Sequence, residues 1–411
     1  MQINRGIIQQ TLLVLYFLLS YTEVQGEIKL SEVEDQELER QLKLLNKPAI
    51  TTIKTKYGDI YDCVDFYKQP AFDHPSLKNH NFHPKMKPTL PRIMQTSVPP
   101  TTNKSSTIWL NDRGCPLGSV PIKRVTKDDL IRQRLMPPPE DVALYTQFGK
   151  TSNHSSELKR RFLSAKGYRV AIVSTPNDPK NKFGGAGMTA TIWKPYAKGQ
   201  QHSGCRLKVQ KGPDVVQVGW RVDPTLYGDS KTRRFIHFQA GKKHCFNTLC
   251  PGFVLVDNQL PIEAPFTKTS RRGDPKHIFE YPMYIDRDLV NGNWWVLLEE
   301  THKELGFWPQ HIFTDLATFA TNIEWGGMAY SPANIPEPPM GSGFFPVRKF
   351  QYDASCRKII VLNYKGETID VTTTPHSDNP NFYKVFDLPN GINEMFKHII
   401  FYGGPGSIDN S

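Results

Sequence analysis

The chain has 411 residues, enough for one large or two medium domains with a sizeable core. Its formal net charge is +11. The densest basic spots ("KRVTKDDLIRQR", "ELKRRF") are interleaved with acids, so the excess speaks against a nucleic-acid-binding face. Neither a phosphate loop nor a nucleic-acid-binding motif is present.

The first segment, "MQINRGIIQQTLLVLYFLLSYTEVQG", has Arg5 near its start, an apolar run from Thr11 to Leu19, and the small-residue site Val24-Gln25-Gly26. That is the layout of a secretory signal peptide over residues 1–26, cut after Gly26. An N-terminal anchor helix is the alternative, but the run is well short of the ~20 residues that span a bilayer. Secretion permits disulfides among Cys63, Cys115, Cys205, Cys245, Cys250 and Cys356. It also makes Asn103 and Asn153, each in an Asn-X-Ser sequon, expected glycosylation sites.

"SEVEDQELERQLKLLNKP" predicts a helix. Ser31 is the N-cap, acids fill the early turns, Leu38, Leu42 and Leu45 fall at helical spacing, and Pro48 stops the run. "AITTIKTKYGDIYDCVDF" then alternates like a hairpin around Gly58-Asp59. From Lys68 to Asn103 the chain is rich in Pro, His, Lys and Thr, which predicts an extended, weakly ordered segment. "LMPPPED" and "FGKTSNHSSELKRR" are connector-like, and Lys159-Arg160-Arg161 sits where exposed loops are nicked.

Beyond Arg161 short alternating strands recur between Gly, Pro and Asn turns: "YRVAIVST", "MTATIWKP", "CRLKVQ", "VVQVGWRV", "RRFIHFQ", "GFVLVD", "NWWVLLEE", "IEWGGMAY", "KIIVLNY". The pattern predicts a mainly β protein: an antiparallel β-sandwich after a small α+β leader. The expected divisions are a signal peptide at 1–26, a leader at 27–128, a linker at 129–160 and a β-sandwich domain at 161–411.

Three segments carry candidate chemistry. "CFNTLC" brackets a turn with Cys245 and Cys250, which in a secreted chain predicts a local disulfide. A zinc site is weakly supported, because no second Cys or His pair stands at ligand spacing beside His237 and His244. In "TNIEWGGMAYSP", alternation puts Ile323 and Trp325 on one face and Glu324 on the other. Gly326 and Gly327 would let another chain lie close to this backbone. A carboxylate beside bulky apolar groups suits general acid/base work, and an outward-facing strand glutamate is the plain alternative. In "DVVQVGWRVDPTLYGD", Gln217 faces away from Val216, Val218 and Trp220. The tryptophans are either core or, near Gly-rich turns, a groove for proline rings or sugars.

Taken together these segments resemble the plant neprosin family. "KYGDIYDCVDFYKQPAFDHPSLKNH" is similar to the family's activation peptide. "QVGWRVDPTLYGDSKTRRF", "CFNTLCPGFV", "GNWWVLLEETHKELGFWPQHIF", "IEWGGMAY", "PPMGSGFFP" and "FYGGPG" follow in the order of its catalytic domain. The resemblance implies a secreted zymogen of a glutamic prolyl endopeptidase, active in acid, with two glutamates in a cleft across a β-sandwich. Mapped onto this chain the pair is Gln217 and Glu324, with Trp220, Trp325 and Tyr227 expected to bind substrate. The resemblance also implies the Cys245–Cys250 bridge. The family's later bridge has only Cys356 here, which is either free or paired with Cys205.

Gln217 stands where the family has a glutamate, and a carboxamide cannot shuttle a proton. Glu324 would then be sole general base and acid, with the Gln217 amide stabilising the oxyanion, as in the Glu/Gln pair of the unrelated fungal glutamic peptidases. Alternatively, the protein is an inactive homologue that binds proline-rich wall peptides, or Gln217 is tolerated packing and the function lies elsewhere. The expected partners are a proline-rich peptide or protein and the chain's own leader as inhibitor, with no nucleic acid and no membrane once the signal is removed. No metal or organic cofactor is implied. The expected location is extracellular, in the apoplast or cell wall, with the vacuole as the alternative.

Overall fold

The computed structural model describes residues 31–89, 109–110, 113–138, 140, 167–391 and 397–407. The expected signal peptide, both sequons and the Lys159-Arg160-Arg161 site lie outside the described residues. Two compact units divide the chain at residues 43 and 44.

Helix α1 (Glu32–Leu45) carries most of the described part of the first unit. Ser31 and Glu34 cap it reciprocally: Glu34 N donates to Ser31 Oγ at 3.3 Å, and Ser31 N donates to Glu34 Oε2 at 3.0 Å. The N-cap assignment thus holds, and Pro48 lies just past the helix end.

The second unit opens with a three-stranded antiparallel sheet of β1 (Ala49–Lys54), β2 (Ile60–Asp65) and β3 (Ser119–Lys123). Gly58, at φ 90°, makes the hairpin turn between β1 and β2. Cys63 of β2 bridges to Cys115, a pairing the spacing did not announce. The stretch expected to be weakly ordered contains short 3₁₀ turns at Phe66–Lys68, Pro70–Asp73 and Pro75–Leu77. Buried Gln69 holds the backbone of Leu255 from both sides, donating at 3.1 Å and accepting at 2.8 Å. Phe72, Phe82 and Met86 pack on the main core. Among its described residues Ala71 and Leu77 are buried and Phe72, Phe82 and Met86 half-buried, so composition understated this part of the segment. Helix α2 (Lys127–Gln133), with a Thr126/Asp129 capping box, runs across the expected leader boundary at 128.

The remaining strands, in chain order, are β4 (Tyr168–Ser174), β5 (Phe183–Thr191), β6 (His202–Lys211), β7 (Asp214–Val222), β8 (Thr232–Ala240), β9 (Lys243–Phe246), β10 (Val254–Leu255), β11 (Glu280–Arg287), β12 (Trp294–Leu298), β13 (Lys303–Trp308), β14 (Asn322–Tyr330), β15 (Ala354–Asn363), β16 (Thr374–Ser377), β17 (Lys384–Leu388) and β18 (Ile399–Gly403). They form a seven-stranded sheet ordered β16-β4-β14-β6-β7-β8-β9 and an eight-stranded sheet ordered β10-β13-β12-β11-β5-β15-β18-β17. Every pairing is antiparallel, so the predicted β-sandwich is the observed fold.

The inner faces share one core. Leu207, Val209, Val216, Val218, Ile236 and Ile323 of the seven-stranded sheet join Ala186, Met188, Met283, Ile285 and Val361 of the other. Trp220 Nε1 donates to Thr191 O at 3.0 Å across the layers. Cys205 and Cys356 are both thiols here, with their Sγ atoms 3.5 Å apart across the same gap. The Cys245–Cys250 bridge forms as expected.

Candidate active site on the outer face of the seven-stranded sheet

Period-two alternation sends the other half of each strand to the outer face. Register aligns these side chains in rows. One row reads Ser174, Glu324, Lys208, Gln217, His237, Phe246. The next reads Ile172, Gly326, Arg206, Gly219, Phe235, and a third Val170, Met328, Gly204, Arg221, Arg233. Gln217 and Glu324 therefore share a face and a row, two strands apart. That puts their Cα atoms roughly 10 Å from each other, with Lys208 between them.

Arg206 is the hub, and it was missed by sequence reasoning. Its neighbours across the row are both glycines, so its side chain lies in a trough without flanking Cβ atoms. A Cβ on Gly219 would run into the Cys205 carbonyl and the Phe235 ring, and one on Gly326, at φ +133°, into the Ala171 carbonyl. In that trough Arg206 is 1% exposed. Its Nη2 reaches Glu324 Oε2 at 3.2 Å, and its Nη1 reaches Glu140 Oε2 at 2.5 Å and Met328 Sδ at 3.4 Å. Lys208 Nζ makes a second ion pair with Glu324 Oε2 at 3.0 Å, and Asn322 Nδ2 donates to Glu324 Oε1 at 3.2 Å. The readable signal was the set of outward glycines in "SGCR", "VGW" and "WGG", which clear one trough in three adjacent strands. Gly327 does not serve a passing chain: it faces the core, where a Cβ would meet Met340 and Tyr402.

A cavity opens over this trough. Gln217 and His237 line one end, Tyr168 and His202 the other, with Arg206, Arg221, Met328, Phe246 and Glu140 around it. Gln217 is buried at 4% exposure. Arg221 lies over Phe246, 4.8 Å from the ring centroid, and pairs with Asp223 at 2.5 Å. Burial and the nearby arginines hold His202 well below the usual imidazole range, so it is neutral.

The expected aromatic groove is corrected by the same alternation. Trp220 and Trp325 are fully buried between the sheets, on the face opposite Gln217 and Glu324. Tyr227 sits in the one-turn helix α3 (Pro224–Tyr227), its hydroxyl donating to Arg234 O at 3.1 Å. All three are structural, because each lies an odd number of positions from the site residue of its strand or beyond the strand's end. The aromatic groups that do meet the cavity are Tyr168 and Phe246.

Segments N-terminal to the sandwich cover and grip this domain. Tyr168 Oη donates to Pro138 O at 2.6 Å, and Glu140 fills the trough. Arg132 Nε donates to Thr225 O at 3.1 Å. Asp59 takes Arg233 in a two-pronged pair at 3.0 Å on both oxygens, and Lys123 meets Glu263 at 3.3 Å.

An activation segment laid over a β-sandwich cleft is the organisation of a protease-like zymogen. The Neprosin family model matches residues 199–405, and the model of the Neprosin activation peptide matches residues 52–174. The chain belongs to the Neprosin family. Among solved structures it is similar to Scytalido-glutamic peptidase with a peptide-based transition state analog (10% identity, 58% of this chain and 97% of that one, TM-score 0.30). It is also similar to SCP-B, an Eqolisin-family peptidase in complex with the tripeptide Ala-Ile-His (10% identity, 58% and 97%, TM-score 0.31). A glycoside hydrolase family 16 endo-glucanase from Bacteroides ovatus matches at 10% identity over 51% of this chain and 78% of that one, with TM-score 0.23.

Proposed function

We propose that the chain is the precursor of a secreted, acid-active glutamic endopeptidase that cuts after proline. Residues 1–26 are its signal peptide, 27–128 its inhibitory leader, 129–160 the connector that is cut, and 161–411 the peptidase domain. The observation that carries this reading is the shared row of Glu324 and Gln217, placed outward on a sandwich and covered by the chain's own Pro138 and Glu140. Support for a secreted location comes from the two disulfides. Among the described residues no helix is long and apolar enough to cross a membrane.

The chemistry follows from the two functional groups. The Glu324 carboxylate takes a proton from water as the oxygen attacks the carbonyl carbon. The Gln217 amide N–H donates to the oxygen that becomes negative, a role that needs a donor and no titration. Collapse of the tetrahedral intermediate breaks the C–N bond, and Glu324 returns the proton to the leaving amine. Lys208 and Arg206, at 3.0 and 3.2 Å, fix the Glu324 carboxylate in place.

A second reading is favoured by the same two ion pairs. With a carboxamide at position 217 and Glu324 committed to two buried cations, the cleft is built to bind. The protein is then an inactive homologue that holds proline-rich peptides. Digestion of a proline-rich peptide by the acid-treated protein, from about pH 2.5 to about 7, separates the two. Cleavage after proline that is lost in Glu324→Gln supports the peptidase. Inactivity of the native protein together with activity in Gln217→Glu overturns it in favour of the binding reading.

A further inference from the structure

The trough is basic. Arg206, Lys208 and Arg221 all project into or beside it, and all three are at most 4% exposed. Arg206 is shared between two carboxylates of different origin. Glu324 belongs to the sandwich, and Glu140, 8% exposed, to the proposed connector ahead of it. When the connector is cut after Glu140 and leaves with the leader, the sandwich keeps the guanidinium and loses the carboxylate on its Nη1. A buried cation stripped of one partner demands another anion of the same reach. The approach to that position is set by the residue beside it in space, since Tyr168 Oη holds the carbonyl of Pro138, two positions before Glu140.

We infer that the Arg206 trough is a binding subsite for a carboxylate side chain, and that Glu140 occupies it in the precursor as the stand-in for an acidic residue of the ligand. The occupant presents a proline carbonyl to Tyr168 and, two residues on, a glutamate to Arg206 Nη1. Lys or Arg at that position is excluded by the guanidinium, and Gln forfeits the charge-assisted bond. The inference rests on the proposed function only in naming the occupant a substrate; the binding preference stands on the trough itself.

The test uses the full chain and two probes, acetyl-Pro-Pro-Glu-amide and acetyl-Pro-Pro-Gln-amide, titrated calorimetrically at low salt. Glu140→Gln keeps the shape of the internal occupant and removes the charge with which it competes for the anion position. In that variant the Glu probe should bind at least roughly tenfold more tightly than the Gln probe. In the native precursor the Glu probe should bind at least roughly tenfold more weakly than in the variant, because Glu140 competes. Adding Arg206→Gln should erase the preference. If that double variant fails to fold, the contrast between probes and between native and Glu140→Gln proteins still decides. Equal affinity for both probes, or equal affinity of the Glu probe for native and Glu140→Gln chains, overturns the subsite. A native protein that cuts nothing while the preference persists removes the peptidase reading and leaves the subsite intact.

Discussion

Asp286 is a buried acid with no cation paired to it among the described residues, and its replacement by asparagine tests how the fold is tuned to pH. It lies in β11, 2% exposed, opposite Gly185 of β5 and Trp295 of β12. Among the described residues neither carboxyl oxygen has a hydrogen-bond partner. Burial alone pushes the carboxyl up to about 8. In the unfolded chain it ionises near its ordinary value of about 3.9, so folding takes up a proton at every pH between the two. The sign is that of a raised acid: its contribution to stability is fully present below about pH 4 and is lost as pH rises through about 8. One pH unit inside that window changes stability by about 1.4 kcal/mol at most. Moving from about pH 4.5 to about pH 7 should therefore cost on the order of 3 kcal/mol from this residue. For a folded unit of this size that is a fall of roughly 5 °C in apparent Tm. Asp286→Asn keeps the shape and removes the titration. Scanning fluorimetry of both proteins across that range, at one scan rate and with disulfides intact, should show the variant gaining on the native protein as pH rises. A difference between the two that is the same at every pH would refute the reasoning.

Three further outcomes are expected. His80 stacks between Phe72 (3.7 Å) and Phe82 (5.3 Å), Phe82 meets Phe307 of the sandwich, and burial lowers the imidazole below its usual value. A neutral docked histidine weakens docking as pH falls through about 6.5, so His80→Phe should move leader release to lower pH. Limited trypsin digestion along a pH series reads this, and an unchanged release pH removes His80 from the mechanism. Gly219→Ala puts a methyl against the Cys205 carbonyl and Phe235 and should cost roughly 2–4 kcal/mol in urea unfolding; a neutral result would mean the strands part easily there. Cys205 and Cys356 are fully buried, and burial pushes the Cys356 thiol up, so a thiol reagent should find two groups after denaturation and none before. A third disulfide in the non-reduced peptide map would overturn that count.

The fold was legible where the period-two pattern was undisturbed. Strands β4, β6, β7, β8, β14 and β15 coincide with alternating runs, and the hairpin at Gly58 with its turn signal. β11 was not legible: Pro282 sits inside it, opposite Thr189, in a strand with neighbours on both sides, and proline argues against such a strand. β10 is a two-residue strand where a longer one was expected, because Pro251 and Gly252 end the regular backbone and Asp257 turns the chain away. At the site, alternation placed Gln217 and Glu324 outward, and the same alternation, applied to Trp220 and Trp325, would have sent them to the core. Arg206 was illegible because its meaning depends on register. Only when three strands are aligned do Gly219 and Gly326 fall on either side of it.

That alignment also explains why an arginine can be buried so completely beside a glutamine. A buried guanidinium needs carboxylate partners, and here the sandwich's Glu324 meets Nη2 while Glu140 of the connector meets Nη1. The connector thus does more than cover the cleft. Through Glu140 the connector supplies one of the two carboxylates that Arg206 meets. Glu140→Gln removes that carboxylate and should therefore loosen the segment ahead of the sandwich at neutral pH. Its trypsin accessibility in this variant should exceed that of the native protein at the same pH. A leader equally protected in both proteins at neutral pH would show that Asp59–Arg233 and Gln69–Leu255 hold it alone.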